Sequence, residues 1–270
     1  QSVTMQTSPV STELNSVWFT DANTGIIAGG SIQGTGNDGV ILRTINGGNT
    51  WNIVSSGSQM LWGVCFINSN TGYVTGKNGT ILKTVNAGLN WTIINSPTNV
   101  QLWGINFIND MTGFITGGTF EPNKSKILGD GLILKTTDGG LNWIGYRTVD
   151  TNKLSGLFFF NNNTGWVAGY RGKIAKTTDG GVSWVLQNSG VQSWLNCIRF
   201  IDLNNGIAVG SKDSNRVILK TTNGGTNWQI LVRNGQARLY STYMLSQNLI
   251  YCVGDSGAVI YSSNGGNSWI

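Results

Sequence analysis

The sequence predicts an all-β protein built from six repeated units. An eight-residue motif recurs every 40 to 52 residues: Ser or Thr, any residue, Asp or Asn, a small residue, Gly, any residue, Asn, Ser or Thr, and Trp. Between the copies lie runs of four to seven residues rich in β-branched and aromatic side chains, bounded by Gly or Asn, as is typical of short strands. No segment keeps a helical period. Four-stranded antiparallel units repeated in this way predict a six-bladed β-propeller.

The motif, which we call the box, marks the end of the third strand and the start of the fourth strand in every blade. Its copies are Thr44–Trp51, Thr84–Trp91, Thr136–Trp143, Thr177–Trp184, Thr221–Trp228 and Ser262–Trp269. The first strands are expected to begin at Leu14, Leu61, Leu102, Leu154, Leu195 and Leu239. The spacing predicts one propeller domain over residues 1–270, with blades ending near Trp51, Trp91, Trp143, Trp184, Trp228 and Trp269.

Closure of the ring is expected to involve the N-terminal segment. The last unit stops at Ile270, where a fourth strand should begin. The segment Val3–Pro9 is similar to Ile93–Pro97 of the second unit, and it precedes Leu14 much as that segment precedes Leu102. We therefore expect residues 2–9 to supply the outer strand of blade six, which would remove an exposed sheet edge.

The box is predicted to be a structural turn. Its fifth position is Gly, which tolerates backbone conformations that other residues avoid, and its Asp or Asn can accept hydrogen bonds from turn amides. The Asp/Asn position holds Asn46, Asn86, Asp138, Asp179, Asn223 and Asn264. Because four of the six are uncharged, a metal or other charged ligand is not required, and we expect neither a metal nor a cofactor.

These boxes resemble the Asp-box (BNR) repeats of sialidases and related propellers. The longer pattern, Thr-Gly-apolar-Val-x-Gly followed by Ile-Leu-Lys-Thr-Thr-Asp-Gly-Gly-x-x-Trp, is more similar to the photosystem II assembly/stability factor-like propellers, a family also abundant among exported bacterial proteins. The resemblance covers nearly the whole chain. It implies the propeller fold and leaves the activity open, since one fold serves many functions.

Composition narrows the classes of function. The chain has 39% hydrophobic and 11% charged residues, a net charge of +5 and no His, which excludes a Cys/His zinc site and a His-based catalytic triad. The mild basic excess favours acidic glycans or anionic surfaces, whereas the absence of a basic run or helix argues against nucleic acid. No apolar run is long enough to span a bilayer. Because the chain begins with Gln1, we expect removal of a signal peptide and a secreted, periplasmic or cell-surface location.

Two alternatives stay open for the cysteines. Cys65, Cys197 and Cys252 all lie in apolar strand patterns. They are expected to be buried free thiols that behave as small hydrophobic residues, or Cys197 and Cys252 could form a bridge between neighbouring units.

The binding face is predicted from the loops. Loops between second and third strands should share a face with the starts of the first strands, opposite the boxes. The insertions fall on this face, at residues 30–38, 118–130 and 211–216, and insertions confined to one face of a repeat protein often mark its binding face. Tolerated loop drift would give the same pattern.

Aromatic and polar residues at the starts of the first strands are the candidate ligand contacts. Trp62 and Trp103 occupy one equivalent position, whose other occupants are Asn15, Ser155, Asn196 and Tyr240. Aromatic platforms suit sugar rings or extended peptides, although such rings could equally form the packing between blades. The predicted ligand-binding residues are Trp62, Trp103, Trp194, Tyr240, Asn15, Asn196, Asp38, Glu121 and Asp213.

A second set of basic residues recurs in the third strands: Arg43, Lys83, Lys135, Lys176 and Lys220, with Tyr261 in the sixth place. Their constant position favours side chains whose stems pack on apolar neighbours over a ring that binds anions.

We therefore predict an exported, non-catalytic binding or scaffold propeller, whose protein or glycan ligand lies on the insertion-bearing face. It could belong to a surface or extracellular assembly. The alternatives are a sialidase-like glycoside hydrolase and an assembly or stability factor for a larger complex. A hydrolase normally needs two carboxyl groups flanking one bond, and nothing in the sequence pairs Asp38, Glu121, Asp130 and Asp213.

Overall fold

Six antiparallel sheets make up the part of the chain that the computed structural model describes, residues 6–31, 38–118, 131–147, 153–213, 215–233 and 235–270. Five sheets have four strands and one has three. In every sheet the strand order follows the chain, so each strand pairs with its neighbours in sequence. These sheets are consistent with the blades of a six-bladed propeller.

The first three blades contain strands β1 to β12. Their bounds are β1 Leu14–Phe19, β2 Gly25–Gly29, β3 Gly39–Thr44, β4 Asn52–Ser58, β5 Leu61–Phe66, β6 Gly72–Gly76, β7 Ile81–Thr84, β8 Thr92–Ile94, β9 Gln101–Phe107, β10 Gly113–Gly118, β11 Leu132–Thr136 and β12 Ile144–Arg147.

The last three blades contain strands β13 to β23. Their bounds are β13 Leu154–Phe159, β14 Gly165–Gly169, β15 Ile174–Thr177, β16 Val185–Gln187, β17 Trp194–Phe200, β18 Gly206–Lys212, β19 Asn215–Thr221, β20 Gln229–Val232, β21 Leu239–Met244, β22 Ile250–Gly254 and β23 Val259–Ser262. Short 3₁₀ turns at Lys77–Gly79, Tyr170–Gly172 and Asp255–Gly257 connect second to third strands. The predicted starts of the first strands agree with these bounds, except that β9 and β17 begin one residue earlier.

Blade six has three strands among the described residues, β21, β22 and β23. Ile270 and Tyr261 exchange two backbone hydrogen bonds of 2.9 and 3.0 Å, so pairing on the outer side of β23 begins at the last residue. Residues 2–5 of the predicted closing strand lie outside the described residues, and residues 6–9 are described without belonging to a strand.

Two compact units divide the chain, one made of residues 1–115 and 134–145 and the other of residues 116–133 and 146–270. In the first unit, apolar side chains of β2 and β3 pack against those of β5, β6 and β7, with Ile26, Ile41 and Leu61 fully buried. In the second unit, Trp166 of β14 packs within a cluster that includes Leu195 and Leu219.

An aromatic pair recurs in the blades. The box Trp meets the edge or face of the Phe that ends the first strand, as in Phe66–Trp91, with ring centroids 6.1 Å apart and an interplanar angle of 90°. The same Phe ring lies against the Gly that opens the second strand: a Cβ on Gly72 would lie 2.7 Å from the Phe66 ring. In blades one to five the Gly and the aromatic residues therefore depend on one another, whereas blade six has Met244 and Ile250 at the Phe and Gly positions.

The cysteines form no disulfide bond. Cys65, Cys197 and Cys252 are all buried, and the alternative of a Cys197–Cys252 bridge is wrong for this structure. Burial raises the pKa of Cys252 to about 12, which keeps this thiol protonated and unreactive.

Candidate functional site

The box residues bind their own turn. In the third box, the Thr136 hydroxyl donates to Asp138 Oδ1 (2.7 Å) and accepts from Gly140 N (2.9 Å). Asp138 Oδ1 also accepts from Asn142 N (3.0 Å). Bonds from the Asn142 backbone and side chain, and then from Thr136, lower the pKa of Asp138 to about 2. These bonds join residues within the box, so they need no external ligand.

The other boxes make the same two bonds at the Asp/Asn position, one from the hydroxyl at the first position and one from the backbone N–H at the seventh. The acceptors are Asn46, Asn86, Asp179, Asn223 and Asn264. Since an Asn Oδ1 accepts as an Asp Oδ1 does, the interchange of Asp and Asn has a physical basis.

The boxes and the turns between first and second strands share one edge of each sheet. Gly139 N donates to Met111 O at 2.9 Å, and Gly224 N donates to Asn204 O at 2.9 Å. At the opposite edge, loops between second and third strands bond to the residue before the first strand, as when Tyr170 N donates to Lys153 O at 2.9 Å. The candidate ligand contacts that the structure describes lie at this second edge.

The variable position shared by Trp62 and Trp103 is a β-bulge in the blades whose register is defined. Leu61 pairs with Gly76 and Gly63 pairs with Thr75, which leaves Trp62 as the extra residue. Asn15, Ser155, Asn196 and Tyr240 are the extra residues in the same place of their own ladders. A bulge re-aims a side chain and often lies beside a functional site, and a residue released from the ladder is free to vary.

Trp62 and Trp103 form a stacked pair in the first unit. Their ring centroids are 4.1 Å apart with an interplanar angle of 31°, and both side chains are partly exposed. The structure therefore brings together two of the predicted binding residues, and their rings together form one aromatic surface.

Asn15 and Asn196 hold the start of the next first strand. Asn15 Nδ2 donates to Leu61 O, the residue before Trp62, at 2.8 Å. Asn196 Nδ2 donates to Leu239 O, the residue before Tyr240, at 2.8 Å. Asn15 and Asn196, which are both predicted binding residues, thus use a side-chain N–H for a hydrogen bond within the fold. This bond helps to position the aromatic residue that follows the bonded Leu.

Trp194 belongs to a cluster in the second unit. Its indole N–H donates to the Ser155 hydroxyl at 3.0 Å, and the Tyr170 ring meets it edge-on with centroids 6.2 Å apart. Lys153 Nζ lies 3.8 Å from the Trp194 ring centroid. Lys153 is only 4% exposed, and burial lowers its pKa to about 6. Lys153 is not among the residues that the sequence predicts for the site, although it occupies the same repeat position as Trp194, directly before the first-strand Leu.

The other predicted contacts are dispersed. Tyr240 is 48% exposed, and burial of its hydroxyl together with a hydrogen bond to Asp255 raises its pKa. Asp38 belongs to the first unit, and its Oδ2 is buried without a donor among the described residues. Asp213 is exposed at the tip of the β18–β19 hairpin in the second unit. Glu121 lies outside the described residues, as do residues 32–37 and 119–130 of the insertions.

The recurrent basic residues contact the next box. Arg43 Nε donates to Ala87 O at 2.8 Å, and Lys220 Nζ donates to Gly265 O at 2.7 Å. Lys83 Nζ donates to Gly139 O at 3.3 Å. These side chains tie one blade to the box of the following blade.

The described chain has no cluster of three His, Cys, Asp or Glu side chains able to hold a metal ion. Where the structure describes the chain, no helix has the length and hydropathy needed to cross a bilayer.

Comparison with known proteins identifies the fold. No family model matches the chain, and no curated protein matches it. The chain is similar to a structure described as YCF48 bound to D1 peptide, with a TM-score of 0.70, 19% identity and coverage of 97% of this chain and 81% of that one. It is also similar to YCF48 from Cyanidioschyzon merolae, with a TM-score of 0.68, 16% identity and coverage of 97% and 86%.

Glycoside hydrolase propellers of family GH74 are similar as well. The Niastella koreensis GH74 enzyme matches with a TM-score of 0.72 and 16% identity, over 95% of this chain and 46% of that enzyme. At these identities the likeness shows the fold alone, which is a β-propeller. One such fold accommodates both binding proteins and enzymes, so the function has to be argued from the site.

Proposed function

We propose that the protein is a non-catalytic binding propeller that holds an extended segment of a protein partner across the stacked pair of Trp62 and Trp103. The proposal includes the predicted export of the chain and its function within a surface or extracellular assembly. One observation carries it: two partly exposed indoles lie with ring centroids 4.1 Å apart at equivalent positions of neighbouring first strands, and in the strand of Trp62 this position is a β-bulge.

The aromatic pair has the properties of a binding surface. Large rigid side chains give contact area at a low cost in conformational entropy, and Trp is enriched among the residues that dominate binding energy. The stacking fixes both rings before a ligand arrives, which lowers the cost of ordering them. YCF48, a structural neighbour, is described as bound to a D1 peptide, and this favours a peptide segment over a glycan as the ligand.

A screen of phage-displayed random peptides against the intact chain tests the proposal, followed by calorimetry with the synthesised peptides. Trp62→Ala is expected to weaken binding about tenfold or more, since Trp anchors are worth about 2 kcal/mol. Trp62→Phe should lose less because a ring remains. Tyr243→Ala is the control, since Tyr243 is an aromatic residue of the second unit that is 63% exposed.

Three results would contradict the proposal. Selected peptides could bind Trp62→Ala and the unchanged protein alike. A glycan array could capture the protein through the same indoles while no peptide is selected. Finally, release of nitrophenol from nitrophenyl glycosides that is lost in Glu121→Gln or Asp213→Asn would establish the hydrolase alternative.

We also propose a single ring over residues 1–270, closed by residues 2–9 as the fourth strand of blade six. Gln6 supports this. Gln187, the third residue after Trp184, accepts from Trp228 Nε1 (3.3 Å) and donates to Gly224 O (3.1 Å). Gln6 makes the same two contacts with the first box, to Trp51 Nε1 (3.2 Å) and Gly47 O (3.3 Å). Gln6 therefore stands where the third residue after a preceding box Trp belongs.

A further inference from the structure

The second unit contains a polar pocket beside the extended β18–β19 hairpin. Its volume is about 380 Å³, and its lining residues are Gln192, Ser193, Lys212, Asp213, Asn215, Val217 and Arg233. Val217 and Ser193 are buried, at 1% and 3% exposure, while Lys212 and Arg233 are exposed. The pocket thus has a closed base and a charged rim.

The hairpin makes this pocket a local feature of blade five. In blades two, four and six a three-residue turn joins the second strand to the third. In blade five the ladder continues to the pair Lys212–Asn215, which carries both side chains beyond the level of the other turns. Asp213 adopts a left-handed conformation with φ of 55° at the tip, and its carbonyl accepts from Arg238 Nε at 3.2 Å, so the hairpin end is anchored.

The lining has a net positive charge, with two basic residues and one acidic residue. Lys212 and Arg233 make no ion pair with any described residue, whereas nearby Arg238 lies 3.9 Å from Asp255. Arg216, which pairs with Ser211 in the same hairpin, has a buried Nε without an acceptor in the described chain. Asp213 is the single acidic residue of the lining. An arginine and a lysine facing one cavity suit a carboxylate, because guanidinium binds carboxylate through two parallel hydrogen bonds.

The rest of the lining suits hydroxyl groups. Gln192, Ser193 and Asn215 both donate and accept hydrogen bonds, and Asp213 accepts them. None of the lining residues is aromatic, so a neutral sugar would have no ring on which to stack. The volume of about 380 Å³ lies within the range of small-ligand pockets, about 300–1,000 Å³, so the pocket can hold one sugar residue.

We propose that this pocket binds a single sugar acid, a uronate residue, with its carboxylate between Arg233 and Lys212 and its hydroxyls on Gln192, Ser193, Asn215 and Asp213. This site shares no residue with the peptide surface of Trp62 and Trp103. Either proposal can therefore fail without the other. Its recognition chemistry is charge pairing supported by neutral hydrogen bonds.

Titration of the intact ¹⁵N-labelled protein with D-glucuronate tests the proposal by NMR. We expect saturable shifts of the backbone amides of Gln192, Ser193, Lys212, Asp213 and Asn215. Because charge-assisted hydrogen bonds contribute about 1.5–3 kcal/mol, Arg233→Gln should weaken binding about tenfold or more, and Lys212→Gln should weaken it less. Arg171→Gln is the control, since it removes one exposed positive charge of the same unit outside the lining.

Three comparison ligands test whether the pocket recognises the carboxylate, the hydroxyl groups or both. D-glucose lacks the carboxylate and should bind at least tenfold more weakly, and acetate lacks the hydroxyls and should also bind more weakly. N-acetylglutamate amide carries the carboxylate of an acidic peptide and should not match glucuronate. The proposal is overturned if any of the three binds as tightly as glucuronate, or if Arg233→Gln and Arg171→Gln bind glucuronate equally well.

Discussion

At the scale of single residues, equivalent positions of the repeat take on different physical functions. The residue before the first-strand Leu is Met60 in blade two, Lys153 in blade four and Trp194 in blade five. Met60 is a buried apolar residue, whereas Lys153 is a buried amine packed on the Trp194 ring. Desolvation of the ammonium outweighs its attraction to the ring, because the pKa of Lys153 falls to about 6.

Lys153→Met is predicted to stabilise the protein, and more so at lower pH. Between the lowered pKa near 6 and the ordinary value of 10.5, the unfolded chain binds a proton that the native chain does not, so the free energy of unfolding rises with pH. The cost of Lys153 is therefore fully present below pH 6 and fades towards pH 10.5.

Urea unfolding at several pH values measures this effect. The wild-type free energy of unfolding should carry an extra slope approaching about 1.4 kcal/mol per pH unit in that window, and Lys153→Met should lack it. Lys173→Met is the control, since Lys173 is less buried in the same unit. Parallel pH profiles for the wild type and Lys153→Met would contradict the prediction.

At the scale of elements, each box is closed by its own side chains and then fastened to its neighbours. Local bonds such as Asn142 N to Asp138 Oδ1 determine the turn. Long-range bonds from the third strand of one blade to the box of the next, such as Lys220 Nζ to Gly265 O, join the blades. The proposed binding surface lies at the opposite edge of the sheets, where the bulges lie.

Lys220→Met is predicted to weaken the contact between blades five and six. It leaves the Gly265 carbonyl without this donor, and a hydrogen bond from a charged group contributes about 1.5–3 kcal/mol. Amide hydrogen exchange in the last box should become faster in this variant, and urea unfolding should shift to lower concentration. Lys220→Arg should restore most of the loss, since Arg43 performs the same function in blade one. Unchanged exchange at the last box in Lys220→Met would contradict this account.

At the scale of the whole molecule, the proposed closure depends on residues far apart in the chain. The described part of blade six ends with the Tyr261–Ile270 pair, and Gln6 contacts the first box as Gln187 contacts the fifth. An unpaired outer edge at β23 would be open to association with other chains.

Deletion of residues 1–9 is predicted to expose that edge. Backbone amides of β23 should lose protection from hydrogen exchange, and the protein should unfold at a lower temperature and self-associate. Addition of a synthetic peptide with the sequence of residues 1–9 should restore protection. If β23 exchanges at the same rate with and without residues 1–9, the closure proposal fails.

Much of the fold could be predicted from the sequence, because its signals are local. The box is closed by hydrogen bonds within eight residues, as from Thr136 to Asp138, and the strand between Gly165 and Gly169 is bounded by glycines that the pattern marks. The period of the box predicted six sheets in chain order, because each sheet is built from one repeat. The position of the loops between second and third strands, at the edge opposite the box, also follows from antiparallel connectivity.

The tertiary structure decided which candidate residues meet and what each one does. The rings of Trp62 and Trp103 contact each other although the two residues are 41 positions apart in the chain. Asn15 and Asn196 each donate a hydrogen bond to the next first strand. Lys153 is buried against the Trp194 ring. The bulge at Trp62, Asn15 and Asn196 is a change of strand register. Register depends on the pairing partner, so the strand's own sequence does not reveal it. The hydrogen bonds of a turn are determined by adjacent residues, whereas contacts between repeats form only once the blades have packed.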